Sequence, residues 1–357
     1  MKAAFFAPMK PPDHPVPSGD RAMARALLLA LETGGIDTEL ASTVQLRDGK
    51  GSSARQAEII AEARAEVARL LPIGRRQAWQ LWITYHSYYK APDLIGPEVA
   101  QALGIPYIQI EATRARKRLT GPWAAFAQAA EDATDAAAAV LYLTTQDEEA
   151  LRAYGRPDQK LVHLRPFLAR SDLPLVTTGA SGMLSVGMFR SGDKLASYQI
   201  IADTLGLLQT ADWRLGIVGD GPERPKVEAM MAPFGDKVQF HGAVDPAKMG
   251  DAYGQARLLF WPGVNEAFGM TYLEAQAAGL PVVAQNRPGV CDVLAPGAVY
   301  PSPQTGPQGL AARLDLLLAM PKLTQHLGAS ARRYVERNHL LDAARDTLRN
   351  TIDEVLS

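Results

Sequence analysis

The sequence has little of several features that would by themselves indicate a class of protein. It contains one cysteine, Cys291, so no internal disulfide can form and the chain fits a reducing compartment. No apolar run approaches the ~20 residues that a membrane-spanning helix needs, and the apolar run at the N-terminus is too short for the core of a signal peptide. The 37 Lys and Arg residues nearly balance the 38 Asp and Glu residues, so the charge gives no general attraction to nucleic acid. We therefore expect a cytoplasmic protein that does not bind nucleic acid.

What the sequence does contain is a repeated alternation of short apolar segments and helical segments. This alternation predicts an α/β fold of parallel sheets with helices on both faces, and 357 residues are enough for two domains. Residues 168–182 have the composition of a linker, so we expect domains at 1–170 and 171–337 that face each other across a cleft. Ligands of such sheets bind beyond the carboxyl ends of the strands, where the functional residues should lie.

The predicted elements follow this alternation along the chain. Strands are predicted at 3–7, 80–85, 106–110, 140–144, 183–188, 213–218, 238–240, 256–261 and 281–284. Helices are predicted at 20–34, 96–103, 129–139, 194–207, 223–231 and 270–278. A run of alanines at 136–139 falls at the end of one predicted helix, which leads directly into a strand.

The segment 265–284 carries the most specific pattern of the sequence. Glu266 lies in the loop after an apolar strand, and the residues that follow it lead into a helix that contains Glu274. The first N–H groups of a helix are unpaired and can bind phosphate or a negatively charged sugar oxygen. Ionised carboxylates accept hydrogen bonds from sugar hydroxyls. Taken singly, each glutamate could equally be a local cap or a solvated surface group.

As a whole, this segment resembles the E-x(7)-E motif of the retaining family 4 glycosyltransferases, which have the GT-B fold of two Rossmann-like domains. The resemblance implies that Glu266 contacts the donor sugar and that Glu274 holds the ribose of the nucleotide. It also implies backbone contacts to the donor sugar and phosphate from Phe268, Gly269 and Met270. Members of this family transfer a sugar with retained configuration, and the leaving diphosphate is thought to help deprotonate the acceptor. Their last helix, here about 338–357, returns to the first domain.

A second motif follows the strand predicted at 183–188. Arg190 and Lys194 come after Gly187 and could neutralise the diphosphate of a donor. The segment resembles the corresponding one of the family, but Met188 stands where the family has an arginine directly after the glycine. A solvated pair of basic residues is the alternative interpretation.

The turn after the next strand contains Gly219 and Gly221 in the string Gly-Asp-Gly-Pro. It resembles the family's turn beside the nucleotide. A dinucleotide fingerprint would need a third glycine where this chain has Arg224, so the turn argues against a dehydrogenase.

In the first domain, Gly19 precedes the first long helix and resembles the family's glycine loop that approaches the donor phosphate. The family has two adjacent glycines there, whereas this chain has one. An ordinary helix cap by Ser18 or Asp20 would explain the same residues.

The catalytic side of the first domain departs from the family pattern. Many members have a histidine after the strand predicted at 106–110, where this chain has Glu111. His86 follows an earlier strand, in a loop rich in aromatic and polar groups that suits an acceptor. Either His86 or Glu111 could therefore serve at the reaction centre, and the sequence leaves the choice open.

The resemblance implies a nucleoside-diphosphate sugar as the donor and a glycan or lipid-linked glycan of the cell envelope as the acceptor. The sequence contains no Asp-x-Asp triplet, so we expect no required metal, and we expect no cofactor. The basic residues of 113–118 precede Trp123 and Phe126, which suggests contact with anionic lipid at the inner face of a membrane. A solvated loop or contacts to a phosphate of the acceptor are the alternatives.

Two other functions are compatible with the same fold. A sugar-nucleotide epimerase would bind the same kind of donor, and so would a non-catalytic subunit that supports a partner. An epimerase would act on the donor without an acceptor, whereas a non-catalytic subunit would lose only affinity when Glu266 is replaced.

Overall fold

The computed structural model describes residues 1–16, 18–179, 181–245 and 248–357, which form two compact units. Unit 1 comprises Met1–Arg165 together with Leu341–Ser357, and unit 2 comprises Pro166–Leu340. Each unit has its own parallel sheet with helices packed against it, so the predicted α/β class is confirmed.

Within the described residues, unit 1 forms a 6-stranded sheet in the order β2-β1-β3-β4-β5-β6. All of its strand pairs are parallel. The strands are β1 Lys2–Phe6, β2 Asp37–Ser42, β3 Leu81–Ser87, β4 Tyr107–Ala112, β5 Ala139–Tyr142 and β6 Lys160–His163. The helices between them are α1 Gly19–Thr33, α2 Ser53–Gln77, α3 Gly96–Leu103, α4 Ala124–Ala136 and α5 Thr145–Tyr154.

The described part of unit 2 forms a 5-stranded parallel sheet in the order β11-β10-β7-β8-β9. The strands are β7 Met183–Val186, β8 Leu215–Val218, β9 Val238–Gly242, β10 Leu258–Phe260 and β11 Val282–Val283. The helices are α6 Asp193–Leu205, α7 Arg224–Met231, α8 Met249–Gln255, α9 Met270–Ala277, α10 Gly306–Ala319 and α11 Pro321–Asn338.

The last helix, α12 Leu341–Leu356, belongs to unit 1 and packs against α1. It buries an apolar face that includes Leu348 and Ile352. Its Arg349 guanidinium donates a hydrogen bond to the carbonyl oxygen of Gly34, at the end of α1. The C-terminal helix of the chain therefore belongs to unit 1, as the N-terminus does.

A buried aspartate fixes the loop that follows β3. The carboxylate of Asp93 accepts hydrogen bonds from the hydroxyls of Thr84 (2.6 Å) and Tyr107 (2.9 Å) and from the backbone N–H of Gly96 (2.8 Å). Its own backbone N–H donates to the Ser87 hydroxyl at 3.1 Å. Residues 88–92, which lie between these anchors, are thus held at the carboxyl edge of the sheet.

The secondary structure predicted from the sequence pattern is wrong at the alanine run 136–139, and the pattern predicts no element for part of unit 1. The predicted helix over 129–139 ends at Ala136, because Ala139 pairs with Ile108 and begins β5. The pattern predicts no element between 35 and 79, where the structure has β2 and α2. Pro72 and Gly74 interrupt the helical pattern, but burial of the apolar face of α2 outweighs this weak local preference.

Candidate functional site

The loops that follow β7, β8 and β9 are joined by backbone hydrogen bonds. The N–H of Gly187 donates to the carbonyl of Val218 at 3.0 Å, and the N–H of Gly219 donates to the carbonyl of Gly242 at 2.8 Å. A Cβ atom on Gly219 would collide with the Gly187 carbonyl, and one on Gly221 would collide with the Phe189 carbonyl. Close approach of two backbone segments therefore already requires glycine at 219 and 221, whether or not a nucleotide lies beside this turn.

A lysine, a glutamate and a tryptophan meet at the carboxyl edge of the sheet of unit 2. The indole N–H of Trp261, just after β10, donates to Glu266 Oε1 at 2.9 Å. The ammonium of Lys194, in the first turn of α6, forms an ion pair with the same oxygen and lies 5.3 Å from the centre of a Trp261 ring. The side chain of Glu266 is 15% exposed, so one charged oxygen has two donors while the group stays accessible to a ligand.

The loop that carries Glu266 is fastened to the neighbouring helix α6. The Asn265 side chain donates to Asp193 at 2.9 Å, and the backbone N–H of Val264 donates to the Ser197 hydroxyl at 3.1 Å. Asn265 has a φ of 48°, a left-handed conformation that asparagine tolerates better than most residues. These bonds fix where the Glu266 carboxylate lies before any ligand binds.

Helix α9 begins beside this cluster with an open N-terminus. Its cap residue, Gly269, has a φ of 82° and supplies no side-chain hydrogen bond. Among the described residues no partner accepts from the N–H groups of Met270 and Thr271, which are the first two of the helix. Phe268 is buried, so it would reach a ligand through its backbone. This end of the helix can accept an anion.

Glu274 lies one turn further along α9 and contacts α8. Its Oε2 accepts a hydrogen bond of 2.7 Å from the Tyr253 hydroxyl. Burial raises the pKa of Glu274, and the bond from Tyr253 only partly opposes this. Both residues line a cavity of about 220 Å³ that is also bordered by Leu168, Ala169, Arg170 and Pro174. A small polar group could therefore bind at Glu274.

Arg190 is exposed in the loop between β7 and α6. No acceptor for its guanidinium is found in the part of the chain that the structure describes. Of the two basic residues predicted to bind a diphosphate, the structure thus brings Lys194 to Glu266 and leaves Arg190 at the surface.

A second cluster lies at the carboxyl edge of the sheet of unit 1. His86 and Glu111 are the penultimate residues of the neighbouring strands β3 and β4, and both have positive φ angles, of 60° and 58°. His86 Nδ1 is 2.9 Å from Asp20 Oδ1 and 3.9 Å from Glu111 Oε2. The two candidates for the reaction centre, His86 and Glu111, therefore lie next to each other. Asp20, in the first turn of α1, also contacts His86.

The carboxylates around His86 control its charge. Burial lowers the pKa of His86, but the negative charges of Glu111, Asp20 and Asp147 outweigh burial and raise it to about 9. His86 is consequently an imidazolium at neutral pH. Burial raises the pKa of Glu111, although His86 opposes this effect. Within the described residues, Glu111 Oε2 is buried and has no hydrogen-bond partner.

The start of α1 shows the cap that the sequence offered as an alternative. Ser18 is the cap residue, and its hydroxyl accepts a hydrogen bond of 3.3 Å from the backbone N–H of Arg21. A Cβ on Gly19 would meet no atom of the described residues within 4 Å, so the backbone there is open.

The basic segment 113–118 does not form one exposed patch. Arg114 is buried in ion pairs with Glu131 and Asp135, both of 2.5 Å, and Phe126 is 0% exposed. The suggestion that all these basic and aromatic residues meet a lipid surface is therefore wrong for Arg114 and Phe126, which are part of the fold. Arg116 and Lys117 are exposed.

Residues 195–334 match the family model described as glycosyl transferases group 1. This segment includes Glu266, the start of α9 and Glu274. The chain is a glycosyltransferase that carries a group 1 domain.

Two relatives and one solved structure illustrate the similarity. The glycosyltransferase is 25% identical over 289 residues to the alpha-D-kanosaminyltransferase of Streptomyces kanamyceticus, which covers 76% of this chain and 74% of that protein. It is 29% identical over 182 residues to the alpha-monoglucosyldiacylglycerol synthase of Streptococcus pneumoniae, covering 49% of this chain and 40% of the synthase.

The structure of Anabaena HepE in complex with UDP aligns with a TM-score of 0.75 at 13% identity, over 99% of this chain and 100% of that one. The predicted GT-B architecture of the glycosyltransferase is thereby confirmed as a fold.

Sequence reasoning missed three residues of these two clusters. Trp261 closes a strand, where an aromatic residue is normally part of the core, and Asp20 was considered only as a cap. Asp147 lies in the first turn of α5, and its carboxylate accepts hydrogen bonds from the cap residue Thr144 (2.7 Å) and from Thr113 (3.0 Å). A polar or aromatic residue at the carboxyl end of a parallel strand, or in the first turn of the next helix, is the signal that would find them.

Two further properties of the described ranges bear on function. No group of three or more His, Cys, Asp or Glu side chains in them could hold a metal ion. No helix in them combines the length and the apolar character that crossing a bilayer requires.

Proposed function

We propose that this glycosyltransferase moves a sugar from a nucleoside-diphosphate sugar to a hydroxyl group of a glycan or lipid-linked glycan of the cell envelope, with retention of anomeric configuration. Unit 2 binds the donor, and unit 1 binds the acceptor. HepE, a structural neighbour, has been solved with UDP and with UDP-glucose, which supports a nucleotide-sugar donor. The similarity to a protein named alpha-monoglucosyldiacylglycerol synthase supports an acceptor that contains lipid.

The observation that carries the proposal is the cluster of Lys194, Glu266 and Trp261. Without a donor, the Lys194 ammonium neutralises the Glu266 carboxylate. A diphosphate competes for that ammonium, because it carries more negative charge than one carboxylate. Glu266 is then free to accept a hydrogen bond from a hydroxyl of the donor sugar, while Trp261 keeps the carboxylate in place.

The remaining donor contacts follow from the same edge of the sheet. The open N–H groups of Met270 and Thr271 bind a phosphate oxygen, and the partial positive charge of the helix terminus favours it. Glu274 accepts hydrogen bonds from the ribose. The positive charge of Arg190 partly neutralises the diphosphate. The turn at Gly219 and Gly221 lies beside the nucleotide.

The chemistry needs no metal in this proposal. The bond between the anomeric carbon and the diphosphate oxygen breaks as the acceptor oxygen attacks from the same face. The proton of the acceptor hydroxyl passes to the departing diphosphate. Lys194 and the start of α9 stabilise the negative charge that develops on the leaving group, and the protein otherwise supplies positioning.

His86 and Glu111 take different roles in this proposal because their charges differ. The imidazolium of His86 has no lone pair for a proton, so it acts as a hydrogen-bond donor to a sugar hydroxyl rather than as a base. The Glu111 carboxylate, whose side chain is 12% exposed, accepts a hydrogen bond from a hydroxyl of the bound sugar.

A thermal-shift panel with UDP, GDP, ADP and their sugars tests donor binding, since a ligand of the native state raises the melting temperature. We expect one nucleotide to stabilise the wild type and Glu266→Gln to weaken the shift given by its sugar more than the shift given by the free nucleotide. Glu228→Gln, at an exposed position of α7, is the matched control. No shift with any nucleotide would count against the proposal.

The same preparation separates the alternative functions. Incubation with the donor alone should release no epimer, and an epimer would favour an epimerase. With a lipid-extracted acceptor fraction and labelled donor, wild type should transfer label and Glu266→Gln should not. Transfer that depends on a partner and is indifferent to Glu266 would favour a non-catalytic subunit. The coupling constant of the anomeric proton in the product reports retention.

A further inference from the structure

A row of four aromatic rings, which begins with His86, runs along the carboxyl edge of unit 1. The ring of Tyr88 lies 5.1 Å from that of His86, Tyr89 lies 5.4 Å from Tyr88, and Trp123 lies 5.8 Å from Tyr89, between ring centres. The three tyrosine and tryptophan rings are all half-buried, so parts of their surfaces remain accessible. We call these four residues the aromatic path.

Two cations lie at the end of the aromatic path that is remote from His86. Lys90 Nζ is 5.6 Å from the ring centres of both Tyr89 and Trp123. The guanidinium carbon of Arg118 is 5.1 Å from Tyr89 and 5.4 Å from Trp123. Ring faces attract cations, which explains why these two long side chains are held at the same place.

Neither cation is neutralised within the described part of the chain. No carboxylate there lies within 4.0 Å of Lys90 or Arg118, and Arg118 Nε is buried without a hydrogen-bond partner. Arg114, four residues earlier, has two carboxylates instead. The basic segment is therefore divided into an arginine that stabilises the fold and an arginine whose charge is available to an anion.

The loops that carry this site are joined by one buried residue, Asp48. Its backbone N–H donates to the carbonyl of Lys90 at 2.8 Å, and its carbonyl accepts from the indole N–H of Trp123 at 3.2 Å. Its carboxylate accepts from Gln56 at 2.8 Å, and Gln56 also donates to the carbonyl of Pro122 at 2.9 Å. The loops after β2, β3 and β4 are thus held together, which positions both cations before a ligand arrives.

We propose that Lys90 and Arg118, over the faces of Tyr89 and Trp123, form a subsite for a phosphate group of the acceptor, and that the aromatic path stacks against the sugar between this phosphate and His86. A guanidinium and an ammonium suit a phosphate, since both donate charge-assisted hydrogen bonds to its oxygens. Aromatic faces beside them suit the apolar face of a sugar ring. The subsite rests on the proposed function in assigning the acceptor to unit 1. The phosphate could belong to a soluble sugar phosphate or to the headgroup of a lipid.

A pair of simple probes tests the subsite in the full-length chain. Glucose 1-phosphate and methyl α-glucoside differ by the phosphate, and calorimetric titration measures their Kd values. We expect glucose 1-phosphate to bind wild type at least tenfold more tightly than the glucoside. Arg118→Gln and Lys90→Gln should each lower the ratio of the two Kd values about tenfold, which is the expected effect of losing one charged contact. Lys117→Gln, an exposed neighbour without ring contacts, should bind as wild type does.

The donor site could also bind the phosphate of this probe, and Lys194→Gln controls for that. The proposal requires that Lys194→Gln keep the preference for glucose 1-phosphate and that Arg118→Gln lose it. Loss in Lys194→Gln with full binding in Arg118→Gln would overturn it.

Vesicles distinguish the two sources of phosphate. Cosedimentation with phosphatidylcholine vesicles that contain phosphatidylglycerol, weakened in Arg118→Gln but not in Lys117→Gln, would support the same subsite with a lipid headgroup as its ligand. Binding of neither probe in an Arg118-dependent way would refute the subsite. Arg118→Gln, Lys90→Gln and Lys117→Gln should retain the thermal shift with nucleotide, which reports on unit 2. An Arg118-dependent phosphate site in a chain that binds no nucleotide would refute the proposed function and leave the subsite intact.

Discussion

Raising the pH should discharge His86 and destabilise unit 1. The pKa of His86 is raised from 6.5 to about 9, because Glu111, Asp20 and Asp147 outweigh the effect of burial. The side chain is 18% exposed, so solvent screens these interactions only in part. A rise from 6.5 to about 9 corresponds to about 3 kcal/mol of extra stability for the charged form. Because the pKa is higher in the folded state, this stability is fully present below pH 6.5 and disappears as the pH rises through 9.

The variant His86→Gln separates this effect from the general effect of alkaline pH. Glutamine can still donate a hydrogen bond to Asp20 but does not titrate. Chemical denaturation at pH 6, 8 and 10 should show wild type losing about 3 kcal/mol relative to His86→Gln between the lowest and the highest pH. The imidazole resonance that disappears in His86→Gln should titrate in wild type with a midpoint near 9.

An opposite result would identify which part of the reasoning fails. A midpoint at or below 6.5 would mean that burial outweighs the carboxylates and that His86 is neutral at pH 7. His86 could then act as a base, and its role as a donor would have to be abandoned. In Asp20→Asn, which removes one of the carboxylates, the midpoint should fall from its wild-type value.

Four further changes have expected outcomes. Glu266→Gln should reduce kcat by at least a hundredfold with the nucleotide affinity little changed, in steady-state assays, since the lost charge acts at the transferred sugar. Trp261→Phe should raise the donor KM about tenfold, because one hydrogen bond to a charged oxygen is lost while the ring is kept. Arg114→Ala should lower the unfolding free energy by about 3 kcal/mol or more, against less than about 1 kcal/mol for the exposed Arg116→Ala, in urea titrations. Asp48→Ala should lower the melting temperature and weaken the Arg118-dependent phosphate affinity, because the lost carboxylate holds its own loop and the Gln56 side chain that bonds Pro122.

The arrangement of the residues that we propose bind the donor could be predicted from sequence because it is local. Glu266, Gly269, Met270 and Glu274 lie in one loop and the helix that follows it, so their spacing along the chain already describes their arrangement. The side chains that contact this segment come from distant parts of the sequence. Lys194 is 72 residues from Glu266, and nothing in the sequence around either residue indicates their ion pair.

The site of unit 1 could not be predicted to the same degree, because its residues come from different strands. His86 and Asp20 are 66 residues apart and meet only because α1 begins beside the end of β3. Their effect on each other's charge depends on burial, which a sequence pattern does not give. For the same reason the choice between His86 and Glu111 could not be made from one sequence, whereas the structure makes them neighbours with opposite charges.

The two units therefore allow different kinds of change. At Gly219 and Gly221, which we propose lie beside the donor in unit 2, the backbone passes within contact distance of other backbone, so substitutions there should disturb the fold as well as any ligand. In unit 1, Lys90 and Arg118 contribute side chains over aromatic faces, while the buried Asp48 holds the loops below them. Substituting either cation leaves the contacts of Asp48 in place. Acceptor preference should consequently be changeable at these two positions without loss of donor binding, whereas a change at Asp48 should not allow this separation.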